Sequence, residues 1–317
     1  MIFINSKLKV STFGGTHEKE VGALIDGFPI DFEVDMDEVQ TMLNRRRPGA
    51  DLVSSRKEDD IPNITSGIAN GRTTGDMIRV VFENKDIDSK DDNDNLPRPG
   101  HGDFTYYFNT GKFSKGATSA RSTVGIVFAG ALCKQFLAEK GIFVNAKLES
   151  PSDEEIKKVM AEGDSLGGIV SCSVLGLPVG FGSPYAEKIE SKLASCIFNI
   201  PGVKGLEFGL GFELAKMRGS EANDQFTTDN YKIRTNTNNC GGLLGGMATG
   251  SELYFNVAFK PTPSIALEQD TVNVVSGQKE KIKSLGKNDP CIAKRGSVVV
   301  EAAAAIAFTD IVLCLAY

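Results

Sequence analysis

The sequence predicts an α+β fold, and three observations carry that reading. Segments rich in β-branched and aromatic residues read as strands. Segments with 3.6-residue apolar spacing read as helices, without the even strand–helix alternation of a doubly wound sheet. A stretch beginning at Ser297, "SVVVEAAAAIAFTDIVLCLAY", is apolar nearly all round and predicts a central helix. At 317 residues the chain can bury a sizeable core, as one large domain or two small ones.

The elements follow in chain order. "MIFINSKLKVSTFGG" reads as a strand and turn. "DMDEVQTMLNRRRPG" reads as a helix with Asp35 as N-cap and Glu38 three residues on, a capping-box spacing. Val39, Met42 and Leu43 form its apolar stripe, and Pro48 stops it. "DMIRVVFEN" is a strand, and "ENKDIDSKDDNDNLPRPGHGDFT" a long acidic loop, a kind that is often functional. "SARSTVGIVFAGALCKQFLAEKG" is a helix in which Gly125, Ala129 and Gly130 predict close approach of another element, with Gly141 at its C-terminus. "GGIVSCSVLGLPVG" is a strand. "YAEKIESKLASCIFNIPG" is a helix with Ile189, Leu193, Ile197 and Ile200 on one face. "VKGLEFGLGF" and "ELYFNVAFKP" are strands. In the last helix Glu301 and Asp310 interrupt the apolar run, which predicts a buried helix and no membrane span.

Composition narrows the function classes. The formal net charge of -6 argues against general nucleic-acid binding, which needs a basic face, but leaves room for a local basic pocket. No signal-peptide pattern precedes the first strand, so a cytoplasmic protein is expected. The six cysteines (133, 172, 196, 240, 291 and 314) show neither CxxC pairing nor metal-ligand spacing. They read as buried, reduced thiols, and no metal site is expected.

The chemistry concentrates in loops. The chain has two histidines, His17 and His101, both on glycine-flanked segments. Glycine removes side-chain bulk and lets a ligand approach the backbone, and imidazole suits proton transfer near neutral pH. Arg45, Arg46 and Arg47 end a helix, with Arg56 nearby. Successive helical residues point in different directions, so these arginines cannot all reach one ligand. One or two could grip phosphate or carboxylate, or the run could be a solvated cap. "SKGATSAR" opens a helix with hydroxyls and free N–H groups, an anion site in principle. Asp289 before Pro290 reads equally as a turn residue. These features point to an enzyme or binder for a small, highly anionic molecule and leave the reaction open.

In order along the chain, "FGGTHEKEVGALIDGFP", "RRRPGADLVSSRKEDD", "TTGDMIRVVFENKDIDSKDD", "RPGHGDFT", "KGATSARSTVGIVFAGA", "VKGLEFGLGF", "GSEAND", "TNNCGGLLGG", "KPTPSI" and "GKNDPC" resemble the motifs of the chorismate synthase family over nearly its whole length. The resemblance implies a β-α-β sandwich in one domain over residues 1–317, a homotetramer, and reduced FMN as cofactor. It implies elimination of phosphate and a ring proton from 5-enolpyruvylshikimate 3-phosphate to give chorismate, with no nucleic-acid or membrane partner. By position, His17, His101 and Asp289 match the catalytic residues. Arg46, Arg47, Arg56 and Arg121 match the substrate-anion contacts. Thr118, Ser119, Gly245, Lys260, Pro261, Thr262, Pro263, Ser264 and Lys287 match the flavin contacts.

The chain also departs from the family pattern. Glu18 replaces a glycine beside His17, Leu52 and Ala117 replace arginines, Ser122 replaces a glutamate, and Lys287-Asn288 replace Arg-His. The chain is shorter than most members. Two readings follow: a divergent active synthase, or a non-catalytic flavin- or anion-binding paralogue of the same fold. Survival of His17, His101 and Asp289 together favours the first.

Overall fold

The computed structural model describes residues 2–49, 51–85, 95–113, 116, 119–185, 188–284 and 288–315. Two antiparallel sheets enclose a layer of helices. The first sheet is built from β1 (Ile2–Asn5), β2 (Lys9–Gly14), β3 (Glu20–Asp26), β4 (Asn63–Ser66) and β5 (Ile78–Glu83), in the order β1-β2-β3-β5-β4. Helix α1 (Met36–Arg46) lies between β3 and β4 in the chain, and α2 (Asp103–Thr110) and α3 (Thr123–Ala138) follow β5. The second sheet is built from β6 (Phe143–Ser150), β7 (Gly168–Leu175), β8 (Val203–Phe208) and β9 (Leu253–Phe259), in the order β8-β9-β7-β6. Helix α4 (Asp153–Glu162) joins β6 to β7, α5 (Ile189–Ile197) joins β7 to β8, and α6 (Ile292–Leu315) follows β9. The order matches the expected α+β class.

The sandwich follows from where the apolar faces go. In β9 the burial alternates, with Leu253, Phe255, Val257 and Phe259 facing inward, as a sheet covered on one face requires. Helix α3 packs on the first sheet and on α6, and α6 packs on the second sheet. Covered on all sides, α6 buries Val298 to Val312 almost completely, which is why its sequence lacks a polar face. Its composition and length would also suit a membrane span, but here the helix is enclosed by protein.

Gly130 sits where α3 meets α6. A Cβ there would lie 2.3 Å from Ala302 Cβ, so the two backbones approach as the small residues predict. The two buried carboxylates of α6 are paired. Glu301 takes both terminal nitrogens of Arg45 at 2.9 Å, Lys134, and the N–H of Ala146 at 3.0 Å. Asp310 accepts from Leu8 N at 2.9 Å and Lys192 Nζ at 2.7 Å.

Most local expectations hold, with exceptions. Helix α3 ends at Ala138 with Glu139 as its C-cap, two residues before Gly141, and Cys240 and Cys314 are half-buried, where buried thiols were expected. Asp35 caps α1, accepting from Asp37 N and Glu38 N. The return half of the capping box is replaced, because Asp35 N instead donates to Gln135 Oε1 of α3 at 2.9 Å. Tertiary packing supplies what Glu38 would have given. The acidic segment, expected to be loop, is helical at its end. Residues 86–94 lie outside the described residues, and the end of the segment is the start of α2. That helix is short and aromatic-rich, with Phe104 and Phe108 exposed, so no apolar stripe announces it.

Candidate functional site

A cavity of about 360 Å³ opens at the ends of α1, α3 and α6, within the size range of small-molecule sites. Its lining draws on distant segments, among them Thr16 and His17, Arg46 and Arg56, Arg98 and His101, Gly116 and Arg121, Pro201 and Gly202, Lys260 and Thr262, and Asp289 and Arg295.

Helix geometry sorts the arginine run. Arg45 turns to Glu301, Arg46 enters the cavity, and Arg47 is exposed outside it. The residue before a proline is pushed into an extended conformation, and Arg47, the C-cap, has φ −60 and ψ 150, which directs its side chain away. Arg46 is 1% exposed. Its Nε and Nη2 donate to Asp60 Oδ2 at 3.1 and 2.8 Å. Arg121 donates through Nε to Asn84 Oδ1 at 2.7 Å and pairs with Asp60 Oδ1. Asp60 therefore bridges two arginines. Burial pushes its carboxyl up, but Arg46 and Arg121 outweigh this and hold it below the usual carboxylate range. Burial, opposed by Asp60, pulls the Arg46 guanidinium down to about 10. Arg46 stays charged at neutral pH. The Arg56 side chain lines the cavity and has no partner among the described residues.

The opposite wall holds the second histidine. His101 Nδ1 lies 2.8 Å from Asp103 Oδ1, and Arg98 Nε lies 2.7 Å from Asp103 Oδ2. Burial would raise the Asp103 carboxyl, but His101 and Arg98 hold it far below the usual range. Asp289 accepts from Ser54 N at 2.8 Å and from Arg295 Nη1 at 2.8 Å, and Arg295 Nε donates to the Arg46 carbonyl at 2.6 Å. Lys260 donates to the Gly100 carbonyl. Burial and the neighbouring Lys204 lower its ammonium.

Three lining atoms, Thr16 Oγ1, His17 Nδ1 and Thr262 Oγ1, are buried without a hydrogen-bond partner among the described residues. A buried polar atom left unpaired costs about 1–3 kcal/mol, so three at one cavity mark where a ligand would complete the bonding. Gly116 makes room for it. A Cβ there would lie 2.9 Å from Thr16 Cβ and 3.0 Å from His17 Cδ2, and its φ of 87° favours glycine.

Of the residues singled out from sequence, His17, His101, Asp289, Arg46, Arg56, Arg121, Ser119, Lys260, Thr262, Pro263 and Ser264 line this cavity. Arg47 does not, nor does Pro261, which is exposed. Gly245 turns a small hairpin between Leu243–Leu244 and Met247–Ala248, away from the cavity. Thr118 and Lys287 lie outside the described residues. The structure adds Arg295, Asp60, Asn84 and Asp103. Arg295 could have been found six residues after Asp289, at the start of a helix. The others sat inside quoted motifs, but a charge run such as "RKEDD" reads by itself as solvated surface.

Arg46, Arg56, Arg98, Arg121, Lys260 and Arg295 face two lining carboxylates, Glu58 and Asp289. Fold and site together define a mixed two-sheet protein with a pocket whose charges are mainly cationic and which holds both histidines. A sequence model of the family described as chorismate synthase matches residues 8–153 and 144–313, and the chain belongs to that family. It is 41% identical to the chorismate synthase of Thermococcus kodakarensis, over 96% of this chain and 95% of that protein. It is also 41% identical to that of Chitinophaga pinensis, over 96% and 94%. A crystal structure of chorismate synthase superposes with a TM-score of 0.76 at 25% identity, covering 97% of this chain and 92% of the other.

Proposed function

We propose that the chain is a chorismate synthase that takes 5-enolpyruvylshikimate 3-phosphate to chorismate by trans-1,4 elimination with reduced FMN. The observation that carries the reading is one cavity where His17, His101 and Asp289 meet an excess of cations. In the reaction the C–O bond to phosphate breaks with its electron pair leaving on oxygen, and a ring proton is lost, so there is no net redox change. Reduced FMN, if bound in this cavity, would supply a transient electron and an acceptor for that proton.

The residues present fit such a group. Thr16 Oγ1 and Thr262 Oγ1 are unspent donors, and Lys260, Ser264 and Ser119 offer further polar contacts. His17 is suited to give a proton to the leaving phosphate, whose growing charge Arg46, Arg56 and Arg121 stabilise. Asp289 is braced by Ser54 N and Arg295, which fixes its carboxyl group at the pocket wall. Because the two sheets share one helical layer, residues 1–317 are best read as a single domain. By resemblance the assembly is a cytoplasmic homotetramer.

The test is an anaerobic assay of purified protein with reduced FMN and the phosphorylated substrate. Chorismate should accumulate at a rate proportional to enzyme. Flavin binding without chorismate would favour the non-catalytic paralogue, and neither binding nor product would overturn both readings.

A further inference from the structure

We propose that Asp103 is a positioning residue that fixes His101 with Nδ1 as the hydrogen-bond donor and leaves Nε2 as its working nitrogen. The inference rests on the reading that His101 takes part in the reaction, and it adds the group that sets its tautomer.

The geometry begins with the sequence Arg98-Pro-Gly-His-Gly-Asp103. Gly100, at φ 72°, reverses the backbone, and His101 N closes the turn on the Arg98 carbonyl at 3.1 Å. Gly102 is the N-cap of α2 and has no side chain to cap it, so Asp103 opens the helix where negative charge is favoured. Asp103 is 4% exposed. Its Oδ2 is taken by Arg98 Nε at 2.7 Å, with Arg98 N at 3.4 Å, and its Oδ1 receives Arg98 Nη2 at 3.1 Å. Oδ1 also meets His101 Nδ1 at 2.8 Å.

An ionised carboxylate only accepts, so the nitrogen facing it must carry the proton. Arg98 does not compete for that role. Its Nη2 lies 3.2 Å from Nδ1 and 3.3 Å from Nε2. A donor in line with one ring lone pair would stand well off from the other nitrogen, so near-equal distances put the guanidinium over the ring face. Arg98 therefore grips Asp103 and covers the ring, while Asp103 alone selects the nitrogen. With Nδ1–H fixed, Nε2 is the atom free to take or give a proton at the cavity. Carboxylates orient working histidines elsewhere in the same way.

The chain's two histidines make the test direct. Ring nitrogens of ¹⁵N-histidine-labelled protein are observed in wild type, with His101→Ala identifying the His101 signals. Wild type should show Nδ1 protonated. In Asp103→Asn the amide can turn to donate or accept, so His101 should lose the Nδ1–H preference. Turnover should then fall by about 10²–10⁴-fold, the range for a histidine deprived of its orienting carboxylate or of its acid–base role, while KM changes by less than a few fold. Asp103→Glu keeps the carboxylate and should restore the Nδ1–H signal, which covers the case of an Asn variant that does not fold. An unchanged Nδ1–H signal in Asp103→Asn overturns the proposal, whatever the rate. Wild-type turnover in His101→Ala would instead overturn the reading of the site, and the ring signals would still show which nitrogen Asp103 selects.

Discussion

Arg46 and Arg56 line the same cavity but are held differently. Arg46 is locked in a buried pair with Asp60, whereas the side chain of Arg56 has no partner among the described residues. Arg46→Ala strands the Asp60 charge beside Arg121 alone, and removing one partner of a buried pair costs about 3–5 kcal/mol. Arg56→Ala removes no side-chain hydrogen bond or ion pair found among the described residues and should change stability by less than about 0.5 kcal/mol. It should still weaken substrate binding by roughly 10- to 100-fold, the worth of one charge-assisted hydrogen bond of about 1.5–3 kcal/mol. Thermal unfolding and KM measured on both variants separate the two effects; equal loss of stability in both would contradict this division. The sequence already showed that Arg45, Arg46 and Arg47 must diverge, since helical geometry demands it. It could not show which one enters the cavity, because the helix phase is set by Glu301, 256 positions from Arg45. Asp60 and Asn84 stayed hidden for a related reason. They act on arginines, not on ligand, and nothing local distinguishes such residues from surface ones.

Helix α6 carries its charges in places where they tie layers together. Glu301 joins α1 through Arg45, α3 through Lys134 and β6 through Ala146 N. Burial would raise its carboxyl, but Arg45 and Lys134 outweigh that and hold it below 4.5. A carboxyl lowered in the folded state contributes stability above its unfolded pKa, and that contribution is lost as pH falls through the folded value. Wild type should therefore lose stability on acidification below about pH 4.5, with Asp60 and Asp103 acting in the same direction. Glu301→Gln should be less stable at neutral pH by about 3 kcal/mol at most, since both cations keep access to water. Its melting temperature should also fall less steeply with acid, which scanning calorimetry across pH 3–7 would reveal. A parallel pH dependence in the two proteins would show that Glu301 titrates alike folded and unfolded. The helix itself was plain in the sequence because burial on every side leaves only one pattern. Helix α2 was not, since eight residues with exposed aromatics give no periodic face.

At the scale of the molecule, a chain of net charge -6 carries a cavity whose charged lining is mainly cationic. Anionic ligands are thus drawn to one region of an otherwise repelling surface. Affinity for FMN and for the phosphorylated substrate should fall by about tenfold or more between 0.1 and 1 M salt, where the screening length drops from roughly 10 to 3 Å. A flat titration series would mean that the contacts are screened from solvent. The family's length variation was also legible. The aligned stretch with the Thermococcus kodakarensis protein runs to 337 positions, more than the 317 residues here, so that relative has segments this chain lacks.

The helical filling between the two sheets has a consequence for biosynthesis. Both sheets are complete by Phe259, and α3 is already made to cover the first, but the helix that packs on the inner face of the second begins only at Ile292. While the polypeptide is being made, at roughly 5–20 residues per second, a half-built sandwich waits with apolar faces bare. Chaperone capture should peak in that interval. Ribosome-stalled chains ending near residue 280 should be cleaved readily by protease, whereas stalled chains with α6 clear of the exit tunnel should resist.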